Sequence, residues 1–313
     1  MATALRDAYG DSLVKYGVPN KKVIVLDADL ATSTKSVKFG NAAPDRFFDV
    51  GIAEANMAPM AAGFAASGFI PFTNTFATFT ASICALSAKS LIAYSHLNVR
   101  LMGGNNGLTG GYDGATHHSF DDINVMTGIP NMLVMSPSTP VQVDWMVRNL
   151  IGEYKGPAYV SVSRQGAGEV YQEGEAFEIG KAKQVKDGKD VTIIAYGLSV
   201  PRSLQAAERI EKEGISVRVL DMFTIKPLDR EAVIKAAKET GAIVTVEEHS
   251  TIGGVGSAVA DVLAEEGIAV PFRKVGIRDT FTQSGSYAQL VEAYRIGVPD
   301  IEETVRVAVS SKN

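Results

Sequence analysis

One carboxylate lies at the head of a segment that is otherwise apolar. Glu54 precedes "ANMAPMAAGFAASG" (55–68), whose small and apolar residues leave no second polar face for a solvent-exposed helix. An acid in the first turn of a helix is stabilised by the helix dipole, and this effect alone accounts for most such residues. If "FTNTFATF" (72–79) packs around Glu54, however, the carboxylate loses water and requires a hydrogen-bond donor. Glu54 is therefore either a helix-terminal acid or a desolvated carboxylate that needs a hydrogen-bond partner in an apolar pocket.

A glycine-rich loop carries a second group of candidate residues. "GGNNGLTGGYDG" (103–114) lacks the Gly-Lys-Ser/Thr ending of a phosphate-binding P-loop, but it follows the strand candidate "NVRLM", at the sheet edge where parallel strands bind ligands. Asp113 and His117 are four residues apart and can meet on one helical turn, whereas His118 points elsewhere. They are surface polar residues, an incomplete metal pair or substrate contacts, and the long loop favours the last.

A third glycine cluster resembles a dinucleotide loop only in part. In "STIGGVGSAVADVLAEEG" (250–267), the third position after Gly254 and Gly256 is Val259, where glycine or alanine would let helix and strand approach. The pattern therefore predicts a tight turn at a helix N-terminus and no nucleotide cofactor. The nearby His249 is interpreted as a structural or interface residue.

Composition narrows the class of protein. A chain of 313 residues suits two domains, and 46% hydrophobic with 21% charged residues is ordinary globular composition. The net charge of -5 gives no electrostatic reason to bind nucleic acid or an anionic membrane. A single cysteine, Cys84, excludes an internal disulfide, and the N-terminus has no apolar targeting segment. The sequence predicts a cytoplasmic protein.

Short β-branched runs alternate with longer helical patterns. In the first half, strand candidates lie at 22–30, 69–79, 98–104, 131–138 and 158–164, and helix candidates at 3–15, 52–66, 80–95 and 140–154. In the second half, strand candidates lie at 190–197, 216–222, 242–249 and 272–277, and helix candidates at 200–213, 229–240 and 256–266. This alternation predicts an α/β fold of parallel strands in α/β/α layers.

A change in amino-acid composition marks the predicted domain boundary. The segment 172–190 is polar and contains several glycines, which is typical of a linker. We therefore expect a first domain at 1–171, a linker at 172–190 and a second, smaller α/β domain at 191–313.

The chain resembles the pyrimidine-binding and C-terminal domains of transketolase in ordered motifs: "LDADLATST", "FFDVGIAEANM", "PFTNTFATF", "GLTGGYDGATHHSFDDINVMTGIPNMLVMSPS", "PAYVSVSRQ" and "AYGLSVPRSLQAA". The resemblance extends from residue 3 to about residue 309, and the length matches the smaller half of a transketolase divided between two genes. It implies dependence on thiamine diphosphate and transfer of a two-carbon ketol unit from a ketose phosphate to an aldose.

The resemblance also implies roles for individual residues. Glu54 corresponds to the acid that hydrogen-bonds a ring nitrogen of the cofactor's aminopyrimidine, and Phe76 and Phe79 to aromatics that line its pocket. Asp29 and Leu30 lie in the family's cofactor-side loop. His117 corresponds to the histidine that hydrogen-bonds the reacting carbonyl, and Asp113 to the aspartate that contacts the neighbouring hydroxyl. The phosphate-binding positions of the family correspond to Arg164, Ser33, Arg6 and Asn105. Asn105 replaces a phosphate-binding histidine usual in the family.

The diphosphate half of the cofactor site is not recognisable in the sequence. The family binds the diphosphate and its Mg²⁺, or another divalent metal, through a Gly-Asp-Gly motif, which this chain lacks. The resemblance therefore implies an N-terminal, diphosphate-binding partner subunit and an α2β2 assembly built on a self-dimer, with no metal ligand on this chain.

Alternative functions follow from the same motifs. The chain could belong to a 1-deoxyxylulose-5-phosphate synthase-like enzyme or be the β subunit of a 2-oxo acid dehydrogenase-like enzyme, each using the same cofactor. It could also be a non-catalytic assembly subunit, although the desolvation cost of burying Glu54 would then have nothing to offset it.

Overall fold

The computed structural model describes residues 3–312, which form two mainly parallel β-sheets covered by helices. Within these residues the strands are β1 (Val23–Asp27), β2 (Phe47–Asp49), β3 (Ile70–Phe76), β4 (Arg100–Gly104), β5 (Leu133–Met135), β6 (Ala158–Val162), β7 (Lys183–Lys186), β8 (Val191–Ala195), β9 (Val217–Asp221), β10 (Thr224–Lys226), β11 (Ile243–Ser250) and β12 (Phe272–Ile277). The predicted α/β fold is confirmed.

The α-helices of the same range are α1 (Leu5–Ser12), α2 (Ala31–Thr34), α3 (Val37–Ala42), α4 (Glu54–Ala66), α5 (Ala77–Ser82), α6 (Ala85–Ser87), α7 (Asp122–Thr127), α8 (Pro140–Gly152), α9 (Ser199–Ile210), α10 (Arg230–Thr240), α11 (Val255–Glu265), α12 (Tyr287–Ala293) and α13 (Val298–Ser310). Between residues 3 and 312, none of these helices has the length and apolar character needed to cross a bilayer.

The first sheet has the order β10-β5-β6-β4-β3-β1-β2 and the second the order β12-β11-β8-β9-β7. The residues of β1, β3 and β6 are buried throughout, because helices cover both faces of the sheet. The strands β1, β3, β4 and β6 run parallel, so their carboxyl ends lie at one edge. That edge carries the candidate residues.

Two strands depart from the predicted division of the chain. β10, from the second half, pairs antiparallel with β5 of the first sheet. β7 lies inside the segment 172–190, predicted as a linker, and pairs antiparallel with β9. One continuous core includes Leu26 of β1, Tyr159 of β6 and Ile194 of β8. The boundaries at 171 and 190 remain predictions, and their outer limits at 1 and 313 lie outside the described residues.

Several helices differ from expectation. The predicted helix 80–95 is wrong as one element, because it is divided into α5, α6 and a π-helical turn at Ala88–Ala93. The N-terminal helix likewise ends in a π-helical turn, Leu13–Gly17. The sequence analysis did not predict β2, α12 or α13.

Candidate functional site

The carboxylate of Glu54 is buried at the start of α4. Its side chain is 5% exposed, and the Thr75 hydroxyl at the end of β3 donates a hydrogen bond of 2.9 Å to Oε1. The Cys84 thiol donates to the Glu54 carbonyl at 3.4 Å. Burial, with the Glu54 charge second, raises the pKa of Cys84 to about 12, so the thiol stays protonated at neutral pH. Glu54 therefore lies in a largely buried pocket.

Aromatic rings extend this pocket. The rings of Phe76 and Phe79 stack with centroids 5.9 Å apart at 27°. The His117 ring meets both edge-on, at 5.3 Å from Phe79 and 6.0 Å from Phe76. The structure thus brings together the end of β3, the start of α5 and the segment that follows the glycine-rich loop.

The two adjacent histidines have different partners. His117 is half-buried, and its Nδ1 lies 3.0 Å from the Thr116 hydroxyl. His118 is buried, with Nε2 3.1 Å from the Gly111 carbonyl and Nδ1 2.7 Å from the Thr282 hydroxyl. Because a carbonyl only accepts, Nε2 carries the proton and Nδ1 accepts from Thr282. Burial lowers the pKa of His118, which keeps this neutral tautomer.

A buried aspartate organises the loop after β1. The Asp27 carboxylate accepts hydrogen bonds from the Leu30 amide at 2.6 Å and from the hydroxyls of Thr34 and Ser36 at 2.8 and 2.7 Å. Burial raises the pKa of Asp27 to about 6 even though these bonds oppose the change. Asp29 adopts a φ of 62° within this loop. Asp27 therefore fixes the backbone that carries Asp29 and Leu30, a role the sequence analysis missed because the bonds depend on the folded loop.

Two donors without partners face a small cavity at the same edge. Within residues 3–312, Arg6 Nε and Asn105 Nδ2 are buried and make no hydrogen bond. Arg6 Nη1 donates to the Ser33 carbonyl at 3.1 Å. The cavity is lined by residues from α1, the β1 loop, β3, β4 and β6: Arg6, Tyr9, Ser33, Thr34, Asn74, Met102, Gly104, Asn105 and Val162. Buried donors normally have acceptors, so these two atoms call for an acceptor that residues 3–312 do not supply.

Arg164 and Asp113 form an ion pair near this cavity. Arg164 Nη1 lies 3.1 Å from Asp113 Oδ2, and both side chains are about one-third exposed. Asp113 thus pairs with Arg164, not with His117, and the interpretation as a metal pair is not supported. Across residues 3–312, no group of three or more histidine, cysteine or acidic side chains is arranged to hold a metal.

The glycines before α11 have a structural explanation. The carboxylate of Glu247 accepts hydrogen bonds from the amides of Val255 and Gly256 at 2.8 and 2.9 Å. A Cβ on Gly254 would lie 2.0 Å from Glu247 Oε2. Because the chain's own carboxylate occupies this helix N-terminus, the predicted tight turn is confirmed. His249 accepts from the Asn124 amide at 3.4 Å and has the structural role that was expected.

The chain is an α/β protein whose candidate residues lie at the carboxyl edge of a parallel sheet, where proteins of this class commonly bind ligands. Residues 1–168 match the family model described as "Transketolase, pyrimidine binding domain", and residues 180–301 match "Transketolase, C-terminal domain". The chain belongs to the transketolase family, which confirms the resemblance inferred from the sequence.

Individual relatives agree with this assignment. The chain is 38% identical to the 6-deoxy-6-sulfo-D-fructose transketolase subunit SqwH of a Clostridium species, over 99% of this chain and 95% of the relative. It is 37% identical to human transketolase over 97% of this chain but only 48% of that protein. A solved structure titled "Split gene transketolase, inactive beta4 tetramer" superposes with a TM-score of 0.91 at 42% identity, covering 99% of both chains.

Proposed function

We propose that this chain is the C-terminal subunit of a split transketolase, which moves a two-carbon ketol unit from a ketose phosphate to an aldose. The observation that carries the proposal is the largely buried Glu54 carboxylate, held by Thr75 next to Phe76, with Phe79 stacked on Phe76 and His117 against both rings. Such a pocket suits a flat, nitrogen-containing ring that stacks on an aromatic face and offers its nitrogen to the acid.

The residues of this pocket fit the pyrimidine half of thiamine diphosphate. Oε1 of Glu54 accepts from Thr75, whereas Oε2 has no hydrogen-bond partner among residues 3–312. Glu54 Oε2 would share a proton with a ring nitrogen of the cofactor, Phe79 would stack on the ring, and the backbone at Asp29 and Leu30 would border it. When bound, the cofactor supplies the carbon that carries the two-carbon unit.

The polar side of the pocket is suited to a sugar with an anionic end. Burial, and secondly the charge of Arg164, lower the pKa of Arg6. A bound phosphate near both guanidinium groups would offset this unfavourable environment through charge-assisted hydrogen bonds. Ser33 and Asn105 lie in the same cavity, so Asn105 Nδ2 would find its missing acceptor there.

His117 and Asp113 would recognise the sugar nearer the reacting centre. His117 lies against the aromatic pair, within reach of a ligand stacked on Phe79, and would hydrogen-bond the reacting carbonyl and hydroxyl. Asp113 lies between this end and Arg164, with which it pairs. Asp113, which would recognise the hydroxyl, and Arg164, which would bind the phosphate, thus belong to one ion pair.

A partner subunit would complete the cofactor site. We place the diphosphate and its Mg²⁺, or another divalent metal, mainly on an N-terminal transketolase subunit, in an α2β2 assembly built on a dimer of this chain. Two findings support the assignment of the diphosphate to a separate subunit: this chain covers only 48% of human transketolase, and a related split transketolase is described as an inactive β4 tetramer. The cytoplasmic location remains a prediction from the cysteine content.

Glu54→Gln tests the proposal in the complex reconstituted with the product of the neighbouring gene. Glutamine preserves the shape but removes the acid, so ketol transfer should fall below detection if Glu54 manages a proton. Glu231→Gln, the same change in the first turn of α10 and outside the site, is the matched control and should retain full activity. Unchanged turnover in Glu54→Gln would instead favour a non-catalytic assembly subunit.

Calorimetric titration of thiamine diphosphate with Mg²⁺ tests the half-site. We expect heat of binding only in the mixture of the two subunits. Tight binding to this chain alone would contradict the assignment of the diphosphate to the partner.

A further inference from the structure

The loop that carries Asp113 and His117 is attached to the second half of the chain. We call residues 105–120 the site loop. The Thr282 hydroxyl bonds His118 Nδ1 at 2.7 Å, and the Ser284 hydroxyl donates to the Tyr112 carbonyl at 2.7 Å. At the far end of the loop, the Ser250 amide donates to the Phe120 carbonyl at 2.9 Å. The second half thus contacts the site loop at several points along its length.

The His118 contact is shielded from water. His118 is 3% and Thr282 4% exposed, and the imidazole bridges the Thr282 hydroxyl and the Gly111 carbonyl. Gly111 begins the short 3₁₀ turn that ends at Asp113. One hydroxyl from the second half therefore fixes the imidazole next to His117 and, through it, the turn that carries Asp113.

Glu248 holds the beginning of the loop. Its Oε2 accepts from the Leu108 amide at 3.4 Å, and its Oε1 lies 2.6 Å from Arg202 Nη2 and also accepts from the Tyr287 hydroxyl. Gly107 adopts a φ of +55°, and a Cβ there would lie 2.7 Å from Glu248 Cβ. Glu248, paired with Arg202, therefore packs against the beginning of the site loop, and position 107 has no space for a side chain.

We propose that Thr282 and Glu248 are positioning residues, which act by fixing the site loop so that His117 lies against Phe76 and Phe79. The effect on turnover rests on the proposed function, whereas the effect on the loop does not. The second half, which offers no candidate catalytic residue, thereby takes part in the chemistry of the first.

Thr282→Val tests the proposal, because valine keeps the shape and removes only the hydroxyl. In the full chain with its partner subunit, amide hydrogen exchange across the site loop should accelerate about tenfold, the effect of losing one buried hydrogen bond. The kcat for ketol transfer should fall by about the same factor, with KM for the donor unchanged. Thr282→Ser restores the hydroxyl and should restore both values.

Two further variants keep the test decisive. Thr240→Val removes a buried hydroxyl at the end of α10, whose partners are the Thr192 hydroxyl and the Ala236 carbonyl, and should leave exchange at residues 105–120 unchanged. Ser284→Ala removes an exposed hydrogen bond, so it should fold normally and accelerate exchange around Tyr112 even if Thr282→Val does not fold.

Each result separates the hypotheses. Wild-type exchange and kcat in Thr282→Val, or a Thr282→Ser protein as impaired as Thr282→Val, would overturn the proposal. Faster loop exchange in Thr282→Val and Ser284→Ala, in a complex whose wild type transfers no ketol unit, would support the positioning role while refuting the proposed function.

Discussion

Replacing Asp221 with asparagine should make the protein more stable at neutral pH. Asp221, the last residue of β9, is fully buried, and its Oδ2 accepts from the hydroxyls of Ser138 and Tyr171, each at 2.7 Å, and from the Gln142 amide at 3.2 Å. Its Oδ1 has no partner within residues 3–312. Asparagine can place its oxygen at the Oδ2 position and keep these three bonds, but its amide nitrogen then takes the unpartnered Oδ1 position. The substitution therefore exchanges a buried charge for an unpaired donor, which costs about 1–3 kcal/mol and reduces the gain.

The magnitude follows from the pKa. Burial raises the pKa of Asp221 from 3.8 to about 6, although the three donors oppose the change. The folded protein therefore binds this proton more tightly than the unfolded chain, and the stability from this group is full below pH 3.8 and is lost as the pH rises through about 6. At about 1.4 kcal/mol per pKa unit, the loss amounts to about 3 kcal/mol at neutral pH.

The assay is urea unfolding at a series of pH values from 3.5 to 8. Trp145, the only tryptophan, stacks edge-on against Phe223, two residues beyond Asp221, and its fluorescence reports this region. The stability difference between Asp221→Asn and wild type should grow with pH and level off above about pH 6. Titration of Asp27, whose pKa is also raised to about 6, occurs in both proteins and cancels. The exposed change Asp261→Asn is the control.

A stability difference that does not vary with pH would show that Asp221 does not titrate in this range. A variant less stable than wild type at pH 8 would show that the unpaired amide donor and the weaker hydrogen bonds together cost more than burying the charge. Either result would refute the reasoning.

Two further substitutions are predicted to have large effects. Arg100→Met should destabilise the protein by about 3–5 kcal/mol in urea unfolding. The fully buried guanidinium donates to the carbonyls of Leu150 and Tyr154, which would lose their partner. The exposed change Arg273→Met should cost little, and equal effects would contradict this account. Arg164→Ala should raise KM for a ketose phosphate about 10- to 100-fold in the reconstituted complex, since one charge-assisted contact is lost; unchanged KM together with intact 2-oxo acid decarboxylation would favour the dehydrogenase-like alternative.

The fold was largely predictable because buried parallel strands leave a strong local signal. β1, β3, β4, β6 and β8 all lie within predicted runs. β10 was missed because three residues carry too little pattern, and its pairing with β5 depends on distant parts of the chain. The predicted helix 80–95 is interrupted where the hydroxyls of Ser82 and Ser90 bond the carbonyls four residues earlier, a competition that sequence periodicity does not reveal.

The candidate site was predictable only in part. The sequence identified Glu54 as unusual, and the family resemblance identified its neighbours, but their individual roles remain predictions. Asp27, Thr75 and Thr282 were missed, since each acts through a hydrogen bond whose partner is distant in sequence or whose geometry exists only in the folded loop. Thr282 lies 164 residues from His118, so no local pattern could have linked them.

The antiparallel strand β10 limits how the polypeptide can be divided. A fragment that ends within 172–190 would leave the backbone of β5 exposed as an open sheet edge, ready to pair with other molecules. It would also leave the carbonyls of Thr127 and Ile129 without Lys226 Nζ, which donates to them at 2.8 and 2.6 Å. Thus, although one family match ends at residue 168 and the other begins at residue 180, the two parts share a sheet, and dividing the chain between them would expose that edge.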